Sequence, residues 1–164
     1  MGYTTEFIGE LKPDKPFSPE LVEYLNKFAN VRHMRRNNDT IKKLFPNWQD
    51  LCFKGELGTD GEYFIGGTGY CGQDEDDSIM PYHYNNPPMT QPGLWCQWVV
   101  NKDGNIAWDQ NEKFYNYVEW LEYIIQNFIA PEGYVLNGTL EYQGEDRDDH
   151  GCIIVRNNSV KRGT

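Results

Sequence analysis

Three observations predict an α+β fold. Residues 3–11 alternate in polarity as a half-buried strand does. Residues 111–129 place apolar side chains at three- and four-residue steps. The segments then follow in the order strand, helix, irregular region, hairpin, helix, hairpin, strand. That order favours an antiparallel or mixed sheet with two main helices on one face. A long ordered loop rich in glycine and proline interrupts it.

The first strand puts Tyr3, Thr5, Phe7 and Leu11 on one face and Thr4, Glu6 and Glu10 on the other. Ile8 breaks the alternation. Ser18-Pro19-Glu20 reads as a helix start: a hydroxyl to accept from orphan amides, a proline suited to the first turn, and an acid beside the positive end of the dipole. Leu21, Tyr24, Leu25 and Phe28 keep helical spacing, and the helix is expected to end near residues 32–36, where cations suit its negative end. Asn37-Asn38-Asp39 breaks it, and residues 40–45 form a short second piece. Residues 48–61 give no clear pattern. Residues 62–66 read as a strand leading into the glycine loop.

Residues 94–100 are aromatic and β-branched, and Asp103-Gly104 turns the chain back through residues 105–108 as a hairpin. In the second helix, Phe114, Tyr117, Val118, Leu121, Ile124, Ile125 and Phe128 mark the apolar stripe. Tyr115, Glu119, Glu122, Tyr123 and Gln126 fall opposite, with Trp120 at the margin. Pro131 and Gly133 stop it. Asn137-Gly138 predicts a primed turn between strands at 134–136 and 139–142. Residues 152–156 form the last strand, and the tail 158–164 is expected to fray. The arrangement suits a ferredoxin-like or related two-layer sandwich.

With 164 residues the chain is expected to form one domain, residues 1–164. The net charge of −10 argues against direct nucleic-acid or anionic-membrane binding and favours basic protein surfaces or small molecules. The first residues lack a basic start and an apolar run, and nothing approaches the roughly 20 apolar residues of a membrane span. A cytoplasmic chain with free thiols is therefore expected. Cys52, Cys71, Cys96 and Cys152 are widely spaced, without a Cys-x-x-Cys pair.

The loop at residues 66–77 holds four glycines (Gly66, Gly67, Gly69, Gly72) and four acids (Asp74, Glu75, Asp76, Asp77). Gly67-x-Gly69-x-x-Gly72 spells a dinucleotide fingerprint, but no helix can follow with Pro81 so near, and the acids would repel a pyrophosphate. The loop is expected to bind a partner or ligand through Gly66, Gly67, Gly69, Tyr70, Gln73, Asp74, Asp76 and Asp77. Asp74, Asp76 or Asp77 with His83 would suit a metal-dependent hydrolase, and Cys71 with His83 a thiol nucleophile. Neither has a specific spacing, so no metal, cofactor or catalytic residue is assigned. Asp146-x-Asp148-x-His150-Gly151 starts like a calcium loop but lacks its closing glutamate. Arg32, Arg35, Arg36, Lys42 and Lys43 form a basic island in which Arg35 and Arg36 could meet a phosphate.

Gln91-Pro92-Gly93-Leu94-Trp95-Cys96-Gln97-Trp98, Glu112-Lys113-Phe114-Tyr115 with Glu119-Trp120-Leu121-Glu122-Tyr123, and Gly133-Tyr134-Val135-Leu136-Asn137-Gly138 with Gln143-Gly144-Glu145-Asp146 resemble a family of small bacterial and bacteriophage proteins of unassigned function. The resemblance implies a cytoplasmic setting in a phage-infected cell and supplies no catalytic residue. The leading expectation is a non-enzymatic acidic binding protein that inhibits a host defence protein with a basic surface. Its contacts would be the loop, Tyr115, Trp120, Tyr123 and the acids of residues 145–149, among them Glu145 and Asp146. The alternative is a binder of a nucleotide-like small molecule, using the glycine loop with Arg35 or Arg36.

Overall fold

The computed structural model describes residues 2–66 and 78–163. The chain gathers into two compact units. One takes the residues up to Asn26 and from Cys96 onward, and the other is Lys27–Trp95.

The first unit is an α+β layer pair. Its six-stranded antiparallel sheet is built from β1 (Glu6–Pro13), β2 (Trp98–Val100), β3 (Ile106–Trp108), β4 (Leu136–Gln143), β5 (His150–Arg156) and β6 (Ser159–Gly163), in the order β2-β3-β1-β4-β5-β6. β1 pairs with β4 along its whole length, from Glu6 opposite Gln143 to Pro13 opposite Leu136. The alternation in the sequence decides the faces. Phe7 and Leu11 are buried, whereas Glu6 and Glu10 are exposed and Ile8 is 71% exposed. In register with Phe7 and Leu11, the inner face continues through Leu136, Leu140, Tyr142, Ile153 and Val155, all buried.

Phe7 centres this core. Its ring meets Trp98, Trp108, Phe114 and Tyr117 edge-on, with centroids 4.9 to 5.9 Å apart. Edge-to-face pairing suits the aromatic quadrupole and adds to simple burial. α1 (Pro19–Phe28) begins as its sequence demands, with the Ser18 hydroxyl accepting from the Leu21 amide at 3.2 Å. It ends at Phe28, so the cations at 32–36 lie beyond it. The Tyr24 ring lies edge-on to Phe128, 5.0 Å away. The β2–β3 hairpin forms, but its first strand is shorter than the expected 94–100, since residues 94–97 are irregular. Asn101 closes its loop by accepting from the Asp103 and Asn105 amides, and Gly104 takes positive φ.

Two local expectations fail toward the end of the chain. Asn137-Gly138 is no turn but part of the continuous strand β4. Gly138 is needed there because β1 passes close: a Cβ would meet the Glu10 carbonyl oxygen at 2.7 Å and Leu11 Cα at 3.1 Å, at φ +149°. The primed turn falls instead at Asn157-Asn158, where both residues have positive φ. The tail beyond it does not fray but forms β6, paired with β5 from Arg156–Ser159 to Cys152–Gly163.

The second helix is also shorter than its periodicity suggested. α3 spans Tyr117–Ile124 and runs into a π-helical turn at Ile125–Ile129. Asn116 precedes it in left-handed conformation, so Phe114 and Tyr115 lie outside the helix.

The second unit has its own core of Ile41, Cys52, Leu57, Phe64 and Ile79, with Phe45, Trp48, Leu51 and Tyr63 against it. α2 (Asn38–Leu44) is capped by Asn37, whose side chain accepts from the Thr40 amide at 3.0 Å. Residues 62–66, expected as a strand, are irregular. Their backbone is claimed locally: Tyr63 bonds to Leu57, Phe64 to Gly61 and Ile65 to Leu51. His33 is buried beside Phe28, with ring centroids 4.1 Å apart, and its Nε2 lies 2.9 Å from the Phe28 carbonyl oxygen.

Two outcomes follow from these contacts. Gly138→Ala is expected to lose about 2 kcal/mol of stability in urea unfolding, because alanine is strained at that φ and its methyl enters the β1 backbone. Burial first, and then the Arg36 charge, hold the His33 ring down at about 3 against the pull of its bond to Phe28. The unfolded histidine takes up its proton near 6.5, so from there down to about pH 3 the unfolded chain binds one more proton. Stability should therefore fall by about 1.4 kcal/mol per pH unit on this account. His33→Gln should flatten that slope in denaturation curves taken between pH 7 and 4.5.

Candidate functional site

The register of β1 on β4 carries the chain just before β1 past the end of β4, where it meets the loop between β4 and β5. Tyr3 and Thr4 organise the meeting. The Tyr3 hydroxyl donates to Asp149 Oδ2 at 2.7 Å and accepts from the Asp146 amide at 3.0 Å. The Tyr3 amide donates to the Tyr115 hydroxyl oxygen at 3.0 Å, and the Thr4 amide to Glu145 Oε1 at 2.9 Å. Tyr115 and Glu145, distant in sequence, are thus tied to two successive amides of one extended segment.

The loop itself is stiff. Gly144 and Asp149 bond across its neck at 2.7 Å, and Asp149 bonds back to Asp146 at 3.0 Å. The Gln143 side-chain amide fills the ring, donating to the carbonyls of Gly144 and Asp146 at 3.1 Å each. The bare backbone of Gly144 leaves room for the Asp149 carboxylate to meet the Tyr3 hydroxyl, since a Cβ there would displace both groups.

The outward groups of this corner are Tyr115, 50% exposed, and the exposed carboxylates of Glu145, Asp146 and Asp148. The Asp146 amide pulls the Tyr3 phenol down. Its bond to the Asp149 carboxylate and the charge of both aspartates outweigh that and leave the phenol above its usual value, so it stays a neutral donor. The corner therefore presents a ring and fixed negative charge, the chemistry that receives lysine and arginine side chains.

Of the residues singled out in the sequence, the fold brings Tyr115, Glu145 and Asp146 together. It withdraws Trp120 and Tyr123, expected as surface contacts, into the interior. Trp120 is fully buried and Tyr123 is 7% exposed. The buried face is wider than the stripe read from the sequence: Trp120, Leu121, Tyr123 and Ile124 are all buried within α3, and Ile125, Phe128 and Ile129 continue it through the π turn. Tyr123 packs edge-on to both Trp120 and Phe128.

Gly67, Gly69, Tyr70, Gln73, Asp74, Asp76 and Asp77 lie outside the described residues, as does Cys71. Gly66 is packed tightly: a Cβ would lie 2.6 Å from the Phe64 ring. Arg36, expected to reach a phosphate, is buried. Its guanidinium donates to the carbonyls of Arg32 and Met34 and lies over the Phe64 ring at 5.3 Å. Arg35 sits 4.0 Å from Asp60, and Arg32 covers the Tyr84 ring at 4.1 Å. The basic island is largely a set of internal braces for the second unit.

Little else in the described residues offers chemistry. No group of three histidines, cysteines or acids is placed to hold a metal among them. Burial pushes the Cys96 thiol up to about 12 and the Cys52 thiol up to about 11, away from the reactive thiolate. An open depression of about 610 Å³ on the outer sheet face includes Gly9, Glu10, Lys12, Asp103 and Asn105. Of its two carboxylates, Glu10 already accepts from the side-chain amides of Asn101 and Asn105 at 2.7 and 2.9 Å, which pull it below the usual range. Among the described residues, no helix is long and apolar enough to cross a membrane.

Asp149 belongs to the acidic run expected to make contacts, whereas Tyr3 and Gln143 were not expected to take part in a site. The only available signal was Gln143-Gly144 opening an acidic run directly after a strand, which marks a shaped turn.

No protein-family model, curated protein or solved structure matches this chain.

Tyr3→Phe keeps the ring but removes the hydroxyl that joins Asp146 to Asp149. The amides of Asp146 and Glu145 are expected to exchange about tenfold faster in hydrogen-exchange measurements, while those of β1 and β4 stay protected.

Proposed function

We propose that this protein is a non-enzymatic binding protein that docks its acidic, aromatic corner onto a basic protein surface. One observation carries the reading: Tyr3 and Thr4 hold the half-exposed Tyr115 ring and the Glu145 and Asp146 segment in one braced corner. A preformed arrangement loses little conformational freedom on binding, and a tyrosine beside fixed carboxylates is an economical anchor for arginine or lysine. The net charge of −10 adds long-range attraction to a basic partner.

A basic groove that ordinarily holds a nucleic-acid backbone is the partner surface that best matches such a charge pattern. The family resemblance would set that encounter in a phage-infected bacterium, with a host defence protein as the partner. The nucleotide-binding alternative is weaker, because Arg36 is already engaged within its own unit.

Affinity capture from the host lysate at low salt tests the reading, using wild type beside Tyr115→Ala and a Glu145→Lys/Asp146→Lys double variant. A captured partner should bind the alanine variant about tenfold more weakly and the charge-reversed one more weakly still. Added salt should release it, and duplex DNA should compete. The reading fails if the same partners are retained by all three proteins.

A further inference from the structure

The two edges of the sheet are not alike. At β2, the Asn26 side chain occupies the outward backbone groups of Val100, accepting from its amide at 2.8 Å and donating to its carbonyl at 3.3 Å. The Trp98 amide is turned to the Cys96 sulfur. At β6 nothing comparable is found among the described residues. The two-residue turn at Asn157-Asn158 makes Arg156 and Ser159 a hydrogen-bonded pair, and bonded and non-bonded pairs alternate from there. Lys161 and Gly163 therefore face β5, whereas Val160 and Arg162 direct N–H and C=O outward. Among the described residues, neither outward set has a hydrogen-bond partner.

The open edge is also basic. Lys161 and Arg162 lie on it and Arg156 stands beside Ser159, with no acid between His150 and Gly163 in a chain of net charge −10. The two edge cations point to opposite faces. Arg162 lies over the Tyr117 and Tyr142 rings at 5.3 and 5.5 Å, on the inner side. Lys161 is exposed on the outer side, where its row across the sheet runs through Ile154 and Thr139 before reaching Glu10. No carboxylate on an adjacent strand is in register with it.

We infer that β6 is a strand-addition site for an extended acidic segment of another protein. The segment bonds to the backbone of Val160 and Arg162 and places carboxylates at two successive positions, one opposite Lys161 and one opposite Arg162. Main-chain bonds supply the attachment, and the alternation of side chains selects the sequence. A second copy of this chain is a poor occupant. In the antiparallel register that bonds Val160 of one copy to Arg162 of the other, Lys161 stands opposite its own counterpart, and like charges directly opposite are destabilising. This surface is distinct from the corner built by Tyr3.

The probe is a capped ten-residue peptide of threonine and valine with two adjacent central glutamates, compared with glutamine and lysine versions by fluorescence anisotropy. The acidic peptide should bind about tenfold more tightly than the glutamine one, and the lysine one not at all. In the wild-type protein, the Val160 and Arg162 amides should gain exchange protection on binding, while Lys161, already paired, should not change. Val160→Pro removes an outward donor that β5 does not use. It should abolish binding with the unfolding transition retained, as a proline is tolerated where an edge amide faces solvent. Lys161→Glu, which cannot perturb the backbone, should erase the preference for the acidic peptide, because Arg162 then attracts one glutamate while the new carboxylate repels the other. Three results would overturn the inference: no binding by any peptide, as expected if the edge cations serve only to deter pairing; binding without protection at Val160 and Arg162; or self-association through β6.

Discussion

The pairing of β1 with β4 is the constraint on which the first unit depends. It joins residues more than a hundred positions apart in the chain, and its register decides every inward face. With Phe7 opposite Tyr142 and Leu11 opposite Gly138, the buried residues of both strands share one side. A slip by one residue would turn Phe7 and Leu11 outward and bring Glu6 and Glu10 into the aromatic core. Gly138 makes this pairing possible because the backbone of β1 lies where any side chain would stand. The same register delivers Tyr3 and Thr4 to the β4–β5 loop. The candidate site is thus a geometric result of how the sheet is assembled.

The corner illustrates how an acidic surface becomes specific. Isolated exposed carboxylates are solvated and mobile, and their attraction to a partner is diffuse. Here Glu145 is held by a backbone amide, Asp149 by a phenol, and the loop carbonyls by Gln143. Each contact removes freedom before any partner arrives. The basic residues of the second unit are placed on the opposite principle. Arg36 and Arg32 turn inward to carbonyls and rings, so their contribution is to internal order.

Much of the fold was legible in the sequence wherever a local rule and the tertiary environment agree. Ser18-Pro19 opens α1, the alternation from Thr5 to Leu11 marks the buried face of β1, and Gly104 turns the β2–β3 hairpin. The failures lie where distant packing overrules local preference. Asn137-Gly138 is the strongest short turn signal in the chain, yet the glycine serves close approach to β1, and Asn137 accepts from the Asn157 amide. Asn157-Asn158, with no glycine, takes the turn because both asparagines tolerate positive φ and Asn158 bonds to Tyr134 and Leu136. Trp120 and Tyr123 are buried because α3 is covered over a wider face than its apolar stripe, which periodicity alone does not reveal. Half of the corner was legible, as Tyr115, Glu145 and Asp146 bear the right chemistry. Their common anchor was not, because it sits at the far end of the chain's central strand.

The unequal edges of the sheet bear on how this protein can assemble. Filament growth by lateral stacking needs two exposed borders on each subunit, so that every arrival leaves a fresh one. The Asn26 amide seals one border at Val100. Any addition along the other must stop after a single event, which keeps a β-rich protein from polymerising through its own architecture.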